Sequence, residues 1–408
     1  MGTMFAIISV VIKPSISKHN IPLLYVINVL DGLKFTMPVW ILFLQQSLTN
    51  GQISILASIL FFSSLVFELP TGAFADLLGK KSTIITGFLV SVVATILFTI
   101  LTSFQSLIIV FILMGLGEAL VSGAFEALVY DSLKQDGREK EFRGINAKLM
   151  YVMQIGFVGG TVLGGVFGNI DLRLPFMIYA GLQLVVAIVT MFVREPDIDS
   201  EKFTLKNYLN QTVLGFKQLT KSEFIKWLSI LYMLVGGISW VFQRLIVYTS
   251  LIDLGYSGMD IGFITGFFRL LNILILVKLL RMLHKKVGYG DLLLLPLLMV
   301  FFYMPGMWLT KFVALPFIGG GMLIATARFV LLSPYVNEEV ESKYRATAIS
   351  ALSMLVSLVY IVSTFLIGTV FENLSPMAIF TVFGIFALVV MVPVGLKVKR
   401  LAELKNNP

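Results

Sequence analysis

Twelve runs of mostly apolar residues, each about as long as the 20–25 residues that a tilted membrane-spanning helix needs, succeed one another along this chain. Their approximate limits are 22–45, 52–74, 83–102, 106–131, 143–168, 173–194, 224–250, 259–282, 290–309, 312–336, 346–371 and 376–397. The apolar material is not a soluble core, because only 13% of the residues are charged and mean hydropathy is +0.92. Soluble domains carry roughly 25% charged residues. The expected class is therefore an all-α membrane protein whose immediate surroundings are the lipid bilayer. Met4–Ile12 forms a further apolar run too short to span. With no basic segment before it and no small-residue cleavage site after it, it reads as an interfacial lead-in rather than a signal peptide.

The net charge of +8 has a topological cause. If even-numbered connections lie inside, the cytoplasm receives Lys80, Lys81, Lys134, Arg138, Lys140, Arg143, Lys202, Lys206, Lys217, Lys221 and Arg281. It also receives Lys285, Lys286, Lys343, Arg345, Lys397, Lys399 and Arg400, while the other side holds little beyond Arg173 and Lys311. That bias predicts a cell-membrane protein with both termini cytoplasmic. Cations dispersed in loops form no basic stripe, so nucleic acid is not an expected partner. With no cysteine and only His19 and His284, both in predicted cytoplasmic segments and expected to be solvated, the chain offers no metal cluster or disulfide. It also lacks a phosphate-binding Gly-x-x-x-x-Gly-Lys-Ser/Thr loop. No cofactor is expected, and neither is enzymatic activity.

The segment Glu68-Leu69-Pro70-Thr71-Gly72-Ala73-Phe74-Ala75-Asp76-Leu77-Leu78-Gly79-Lys80-Lys81 reads as a short polar hinge between the second and third runs. Gly72 and Gly79 allow close backbone approach and reversal, and Asp76 offers a carboxylate to a helix N-terminus or a nearby cation. Its Gly-x-x-x-Asp-x-x-Gly-Lys-Lys pattern resembles the loop between spans two and three of the major facilitator superfamily of secondary transporters. The resemblance implies two pseudo-symmetric six-helix halves, alternating access and a gating role for Glu68, Gly72, Asp76, Gly79, Lys80 and Lys81. The expected divisions are a lead-in 1–21, a first half 22–195, a linker 196–223, a second half 224–397 and a tail 398–408. In the linker, Phe203, Leu205, Tyr208, Leu209, Val213 and Phe216 have helical spacing between lysines, as in an amphipathic interfacial helix. The counterpart of the hinge at Leu283–Gly288 keeps a basic pair and one glycine but no aspartate.

Span five reads Gly156-Phe157-Val158-Gly159-Gly160-Thr161-Val162-Leu163-Gly164-Gly165. It resembles the Gly-x-x-x-Gly-Pro-x-x-Gly-Gly pattern of drug/proton antiporters in the same superfamily, with Thr161 in place of proline. Gly156, Gly160, Gly164 and Gly165 serve either that motif or plain close packing of helices. Arg345–Ser350, opening span eleven, also has a facilitator-like pattern. The superfamily's usual arginine motif in span four is absent, Phe111 and Ile112 standing at those places.

Charges inside spans cost at least about 2.5–3.5 kcal/mol each near the centre, so each asks for a reason. The first six spans carry Asp31, Glu68, Glu118 and Glu126 with one cation, Lys34; the last six carry Arg244, Arg269, Lys278 and Arg328. Asn28, Asp31 and Lys34 share a helical face, where Asp31 is either a proton-binding carboxylate or half of an ion pair with Lys34. Glu118, Ser122 and Glu126 form a polar stripe, with Glu118 serving proton or cation binding or a structural hydrogen bond. Trp240, Gln243 and Arg244 on span seven, Arg269 and Asn272 on span eight, and Arg328 on span ten are candidates for a substrate cavity. Their arginines would grip a carboxylate, from a substrate or across the two halves. Lys278 is expected to snorkel. Together with the resemblance, these residues lead to an expected monomeric, proton-coupled exporter of small amphipathic molecules; an importer of a small anion and a transport-dead scaffold are the alternatives.

Overall fold

A computed structural model of the chain describes residues 15–197, 205–283, 290–370 and 373–406. Its helices are, in order, α1 (Ile16–Gly32), α2 (Trp40–Leu44), α3 (Asn50–Leu78), α4 (Lys80–Ile100), α5 (Phe104–Gln135), α6 (Phe142–Ile170), α7 (Leu174–Met191) and α8 (Leu205–Leu219). There follow α9 (Glu223–Val241), α10 (Val247–Asp253), α11 (Gly258–Leu283), α12 (Asp291–Tyr303), α13 (Ala314–Leu331) and α14 (Ser333–Glu339). The last are α15 (Arg345–Val370), α16 (Pro376–Phe386) and α17 (Val392–Asn406). Among the described residues, 11 helices or joined helices are long and apolar enough to cross a bilayer. They coincide with the second to twelfth expected runs. The first run is split into α1 and α2 by a non-helical segment. Met4–Ile12, Lys202, Phe203 and His284–Gly288 lie outside the described residues, as does the side chain of Lys278.

α1, α3, α4, α5, α6 and α7 pack on one another, and α9 and α11 to α17 form a second group. Two seams join the groups, α3 against α15 and α6 against α11. Both are tight at the end remote from the lysine-rich loops. There the Ser58 hydroxyl donates to Thr364 Oγ1 at 2.8 Å, and Gly51 and Gly368 bring their backbones together. On the other seam, a Cβ at Gly165 would sit 2.6 Å from the Gly258 carbonyl and 3.0 Å from Gly262 Cα. In a bilayer, where lipid tails are as apolar as leucine, such small-residue contacts replace the hydrophobic drive of soluble proteins.

The expected hinge at 68–81 is mostly helix. α3 continues through it to Leu78, and the chain reverses at the single residue Gly79, whose φ of 86° favours glycine. The linker helix is present as α8, and it packs along α15, with Gly215 against the Thr347 carbonyl.

The first span is held at its basic end by buried polar groups. Asn20 donates to Ser132 Oγ (2.9 Å) and to the Arg194 carbonyl (2.8 Å), tying α1 to α5 and to the end of α7. His19, expected to be solvated, donates from Nε2 to the Phe192 carbonyl at 2.9 Å. Asp136, just beyond α5, accepts from the Ser15 hydroxyl (2.6 Å) and the Ser17 amide (2.8 Å). Partial burial pushes the Asp136 carboxyl up, but hydrogen bonds from Ser15, Ser17 and Ile16 outweigh it and hold the group below the usual carboxylate range.

Two outcomes follow from these contacts. A Cβ at Gly164 would run into the Phe35 carbonyl, whereas one at Gly159 meets only Leu33 Cδ2 at 3.8 Å. Gly164→Ala is therefore expected to lower the thermal midpoint of the detergent-solubilised protein, overpacking costing about 1–3 kcal/mol, while Gly159→Ala leaves it unchanged. The depressed Asp136 contributes stability at pH values above its unfolded value of about 3.9, and that contribution fades as pH falls through the lower folded value. Asp136→Asn should flatten this part of the acid limb in a pH series of thermal midpoints.

Candidate functional site

The break in the first span builds the site. Pro38 has no N–H to donate back to the Lys34 carbonyl, and it disfavours helical geometry at Met37. The helix stops at Gly32 and closes with tight turns, Lys34 N–H to the Gly32 carbonyl (2.7 Å) and Phe35 N–H to the Leu33 carbonyl (2.9 Å). The glycines of α6 make room for this irregular backbone. A Cβ at Gly156 would lie 2.6 Å from the Val29 carbonyl, and one at Gly160 2.6 Å from the Leu33 carbonyl carbon. Gly165 points the other way, into the α11 seam. The span-five glycines thus have two targets, three on the broken span and one on the seam. Thr161, at the proline position of the motif, turns its hydroxyl back to the Phe157 carbonyl at 2.7 Å.

Beside the break lies a cavity of about 580 Å³. Its walls come from α1 to α7, with Arg244 and Tyr360 from the second group. Most of the lining is aromatic or aliphatic, including Trp40, Phe61, Phe98, Phe125 and Phe176. The polar groups are few. Lys34 Nζ donates to Asp31 Oδ1 at 2.9 Å and to the Tyr179 hydroxyl at 2.5 Å, so Asp31 is half of an ion pair that crosses the end of α1. Glu118 is open to the cavity and makes no hydrogen bond or ion pair among the described residues. Ser122 points its hydroxyl to the Ala119 carbonyl (3.4 Å), and Asn28 completes the polar wall.

Arg244 sits in a π-helical turn, Phe242–Ile246, between α9 and α10. Such turns add a residue to the helix and re-aim side chains, often where ligands bind. Its guanidinium lies 4.7 Å from the Phe61 ring and 5.6 Å from the Trp240 ring. Like Glu118 it has no carboxylate or hydrogen-bond partner among the described residues. Two cavity atoms are also bare, Trp40 Nε1 and Gln183 Oε1.

The remaining candidates are elsewhere. Trp240 is off the cavity wall, with the guanidiniums of Arg244 and Arg328 both over its ring. Arg328 is only 2% exposed and stacks on Tyr232 and Phe329, its head group in the space left by Gly236. Arg269 lies 3.9 Å over the Phe157 ring, and Asn272 is buried. Neither Gln243 nor Glu126 reaches the cavity; Glu126 accepts from Asn146 Nδ2 at 3.5 Å. Helical spacing put these residues on plausible faces, but the cavity lies mostly inside the first group of helices, so of the second group only Arg244 and Tyr360 line it.

The hinge candidates form a separate cluster. Lys80 Nζ pairs with Asp131 Oδ2 at 2.5 Å, and the Lys80 and Lys81 amides donate to the two Glu195 carboxylate oxygens at 2.7 and 2.8 Å. Glu195, which the sequence did not single out, therefore caps α4 from just beyond α7, the helix-start role expected of Asp76. The surroundings of Gly72 and the side chain of Asp76 lie outside what is described, and Glu68 is exposed on α3. Among the described residues no three His, Cys, Asp or Glu side chains gather to hold a metal.

A split first span, eleven further spans and the hinge turn at Gly79 agree with a family model, that of the Major Facilitator Superfamily, which matches residues 23–364. The chain belongs to this superfamily. It is a membrane transporter and not an enzyme. Among its relatives, the MFS-type transporter YxaM of Bacillus subtilis (strain 168) is 24% identical over 90% of this chain and 92% of its own length. Quinolone resistance protein NorA of Staphylococcus aureus (strain MRSA252) is 24% identical over 58% of this chain, and the match spans 59% of NorA. Among solved structures, the nucleoside transporter NupG superposes with a TM-score of 0.75 at 14% identity, over 94% of this chain and 98% of NupG. An auto-inhibited POT family peptide transporter gives 0.69 at 13% identity, over 93% and 96%. At these identities the structural likeness concerns the superfamily's fold.

Removing the external cap leaves two backbone donors at the start of α4 without their carboxylate. Glu195→Ala is expected to destabilise the protein by about 1 kcal/mol, in the range of cap removals, and Glu195→Gln by less, read as shifts in thermal midpoint.

Proposed function

We propose that this facilitator exports amphipathic small molecules in exchange for protons, by alternating access of two halves, 22–195 and 224–397. The observation that carries the reading is the cavity, where an aromatic wall surrounds an unpartnered acid, Glu118, and a tethered ion pair, Asp31–Lys34. Aromatic surface binds apolar bodies with little demand on their exact shape, and a few polar groups fix orientation. Glu118 is the group to exchange a proton for a substrate, and Asp31 the group whose pairing with Lys34 changes with that exchange. Both far-end seams are tight, so the cavity is served from the basic end, which the lysine bias assigns to the cytoplasm of a cell-membrane protein. Relatedness to a quinolone resistance protein supports the outward direction.

The alternative of anion import has less support. It needs several arginines in the cavity, and of Arg244, Arg269 and Arg328 only Arg244 lines it.

The test is accumulation of a fluorescent amphipathic cation in cells that express the protein. Expression should lower accumulation, a protonophore should restore it, and Glu118→Gln or Asp31→Asn should each remove most of the effect. Equal accumulation with parent and both variants, all present in the membrane at similar levels, rules out the assigned role of these acids.

A further inference from the structure

Four charged side chains line the cavity, and they are not equivalent. Asp31 and Lys34 neutralise each other at 2.9 Å, with Tyr179 accepting from the ammonium. Glu118 and Arg244 face the same space from the two groups of helices, and neither has a carboxylate, ammonium or hydrogen-bond partner among the described residues. Tyr360 lines the same cavity from α15. No ion pair joins them, so the cavity holds one anion and one cation without a charged partner among the described residues.

Glu118 is exposed and half-buried Arg244 leans on ring faces, so an occupant that displaces water from them must supply a counter-charge to each, because an ion that leaves water without gaining a partner loses several kcal/mol. A purely cationic occupant would satisfy Glu118 and leave Arg244 with only ring faces. An anionic occupant would do the reverse. An occupant that carries both charges on one aromatic body satisfies the two together and fills the apolar remainder.

We infer that the cavity is a site for zwitterionic aromatic amphipaths, with the ligand's ammonium on Glu118 and its carboxylate on the Arg244 guanidinium. The inference rests on the proposed transport of amphipathic molecules and names their charge class. Arg244 is the specificity-determining residue in this scheme, since its fork suits a carboxylate and the π-helical turn aims it. Both interactions join opposite walls, so the ligand itself bridges the two groups of helices.

Isothermal titration calorimetry of the full chain in lipid nanodiscs tests this with three probes of one shape. These are naphthylalanine, its methyl ester, which is a cation only, and its N-acetyl derivative, which is an anion only. The zwitterion is expected to bind about tenfold more tightly than either derivative, the worth of roughly one charge-assisted contact. Arg244→Gln should bring naphthylalanine down to the affinity of the ester while leaving the ester unchanged. Glu118→Gln should bring it down to that of the N-acetyl form. Three probes of equal affinity in the parent protein, or an unchanged ranking in both variants, overturns the inference. Proton-driven efflux is read separately with the ester in proteoliposomes. Ester efflux without zwitterion preference sinks the charge class and spares the transport reading; zwitterion preference without efflux of any probe does the opposite.

Discussion

Everything in the cavity depends on an irregular piece of backbone being tolerated at membrane depth. A chain in lipid must satisfy its own peptide groups, and a broken helix survives there only against protein or a wet cavity. Residues 33–39 have both. Tight turns use some of the freed groups, and the side-chain-free face of α6 at Gly156, Gly160 and Gly164 covers the segment at backbone contact distance. Ordinary side chains at those positions would push α1 away and close the space in which Lys34 reaches Tyr179. The glycines are therefore the support on which the charged wall is mounted.

Charge distribution then separates into three kinds. Some ions are consumed by architecture, such as Lys80 with Asp131, or Glu195 on the start of α4. Others are sheltered by rings, as Arg269 is by Phe157 and Arg328 by Tyr232 and Trp240. Ring faces attract a guanidinium electrostatically and substitute in part for a counter-ion. Arg244 leans on Phe61 and Trp240 in the same way but also lines the cavity, which Glu118 faces with no partner among the described residues.

Much of the fold was legible because a bilayer imposes length and composition on every span, and the loop motif around Gly79 carries a backbone requirement that only glycine meets easily. The interruption of span one was less so. Pro38 hints at it, yet the helical spacing of Asn28, Asp31 and Lys34 suggested a continuous face. That spacing still placed the three residues on one wall, since the turn after Gly32 keeps Lys34 near Asp31. For Arg269, Asn272 and Arg328 periodicity gave a face but no distance to the cavity, which depends on how helices pack across the bundle. Tyr179, Gln183, Tyr360 and Glu195 carry no local pattern at all. Tyr179 would be found only by asking what hydroxyl lies opposite Lys34, and Glu195 only by asking what caps a helix that starts one residue after another ends.

The two far-end seams have a consequence for how energy enters the cycle. The contacts named there are glycine backbones and one Ser58–Thr364 hydrogen bond, and none of these contacting groups is itself ionisable. Glycine and hydroxyl contacts of this kind do not themselves titrate, so they give a proton no direct handle. Under the proposed proton exchange, protonation would be felt in the chamber and relayed to the seams mechanically, as a change in how closely two smooth surfaces lie. This closure thus resembles a passive latch, whose hold is set by shape and whose release is decided elsewhere.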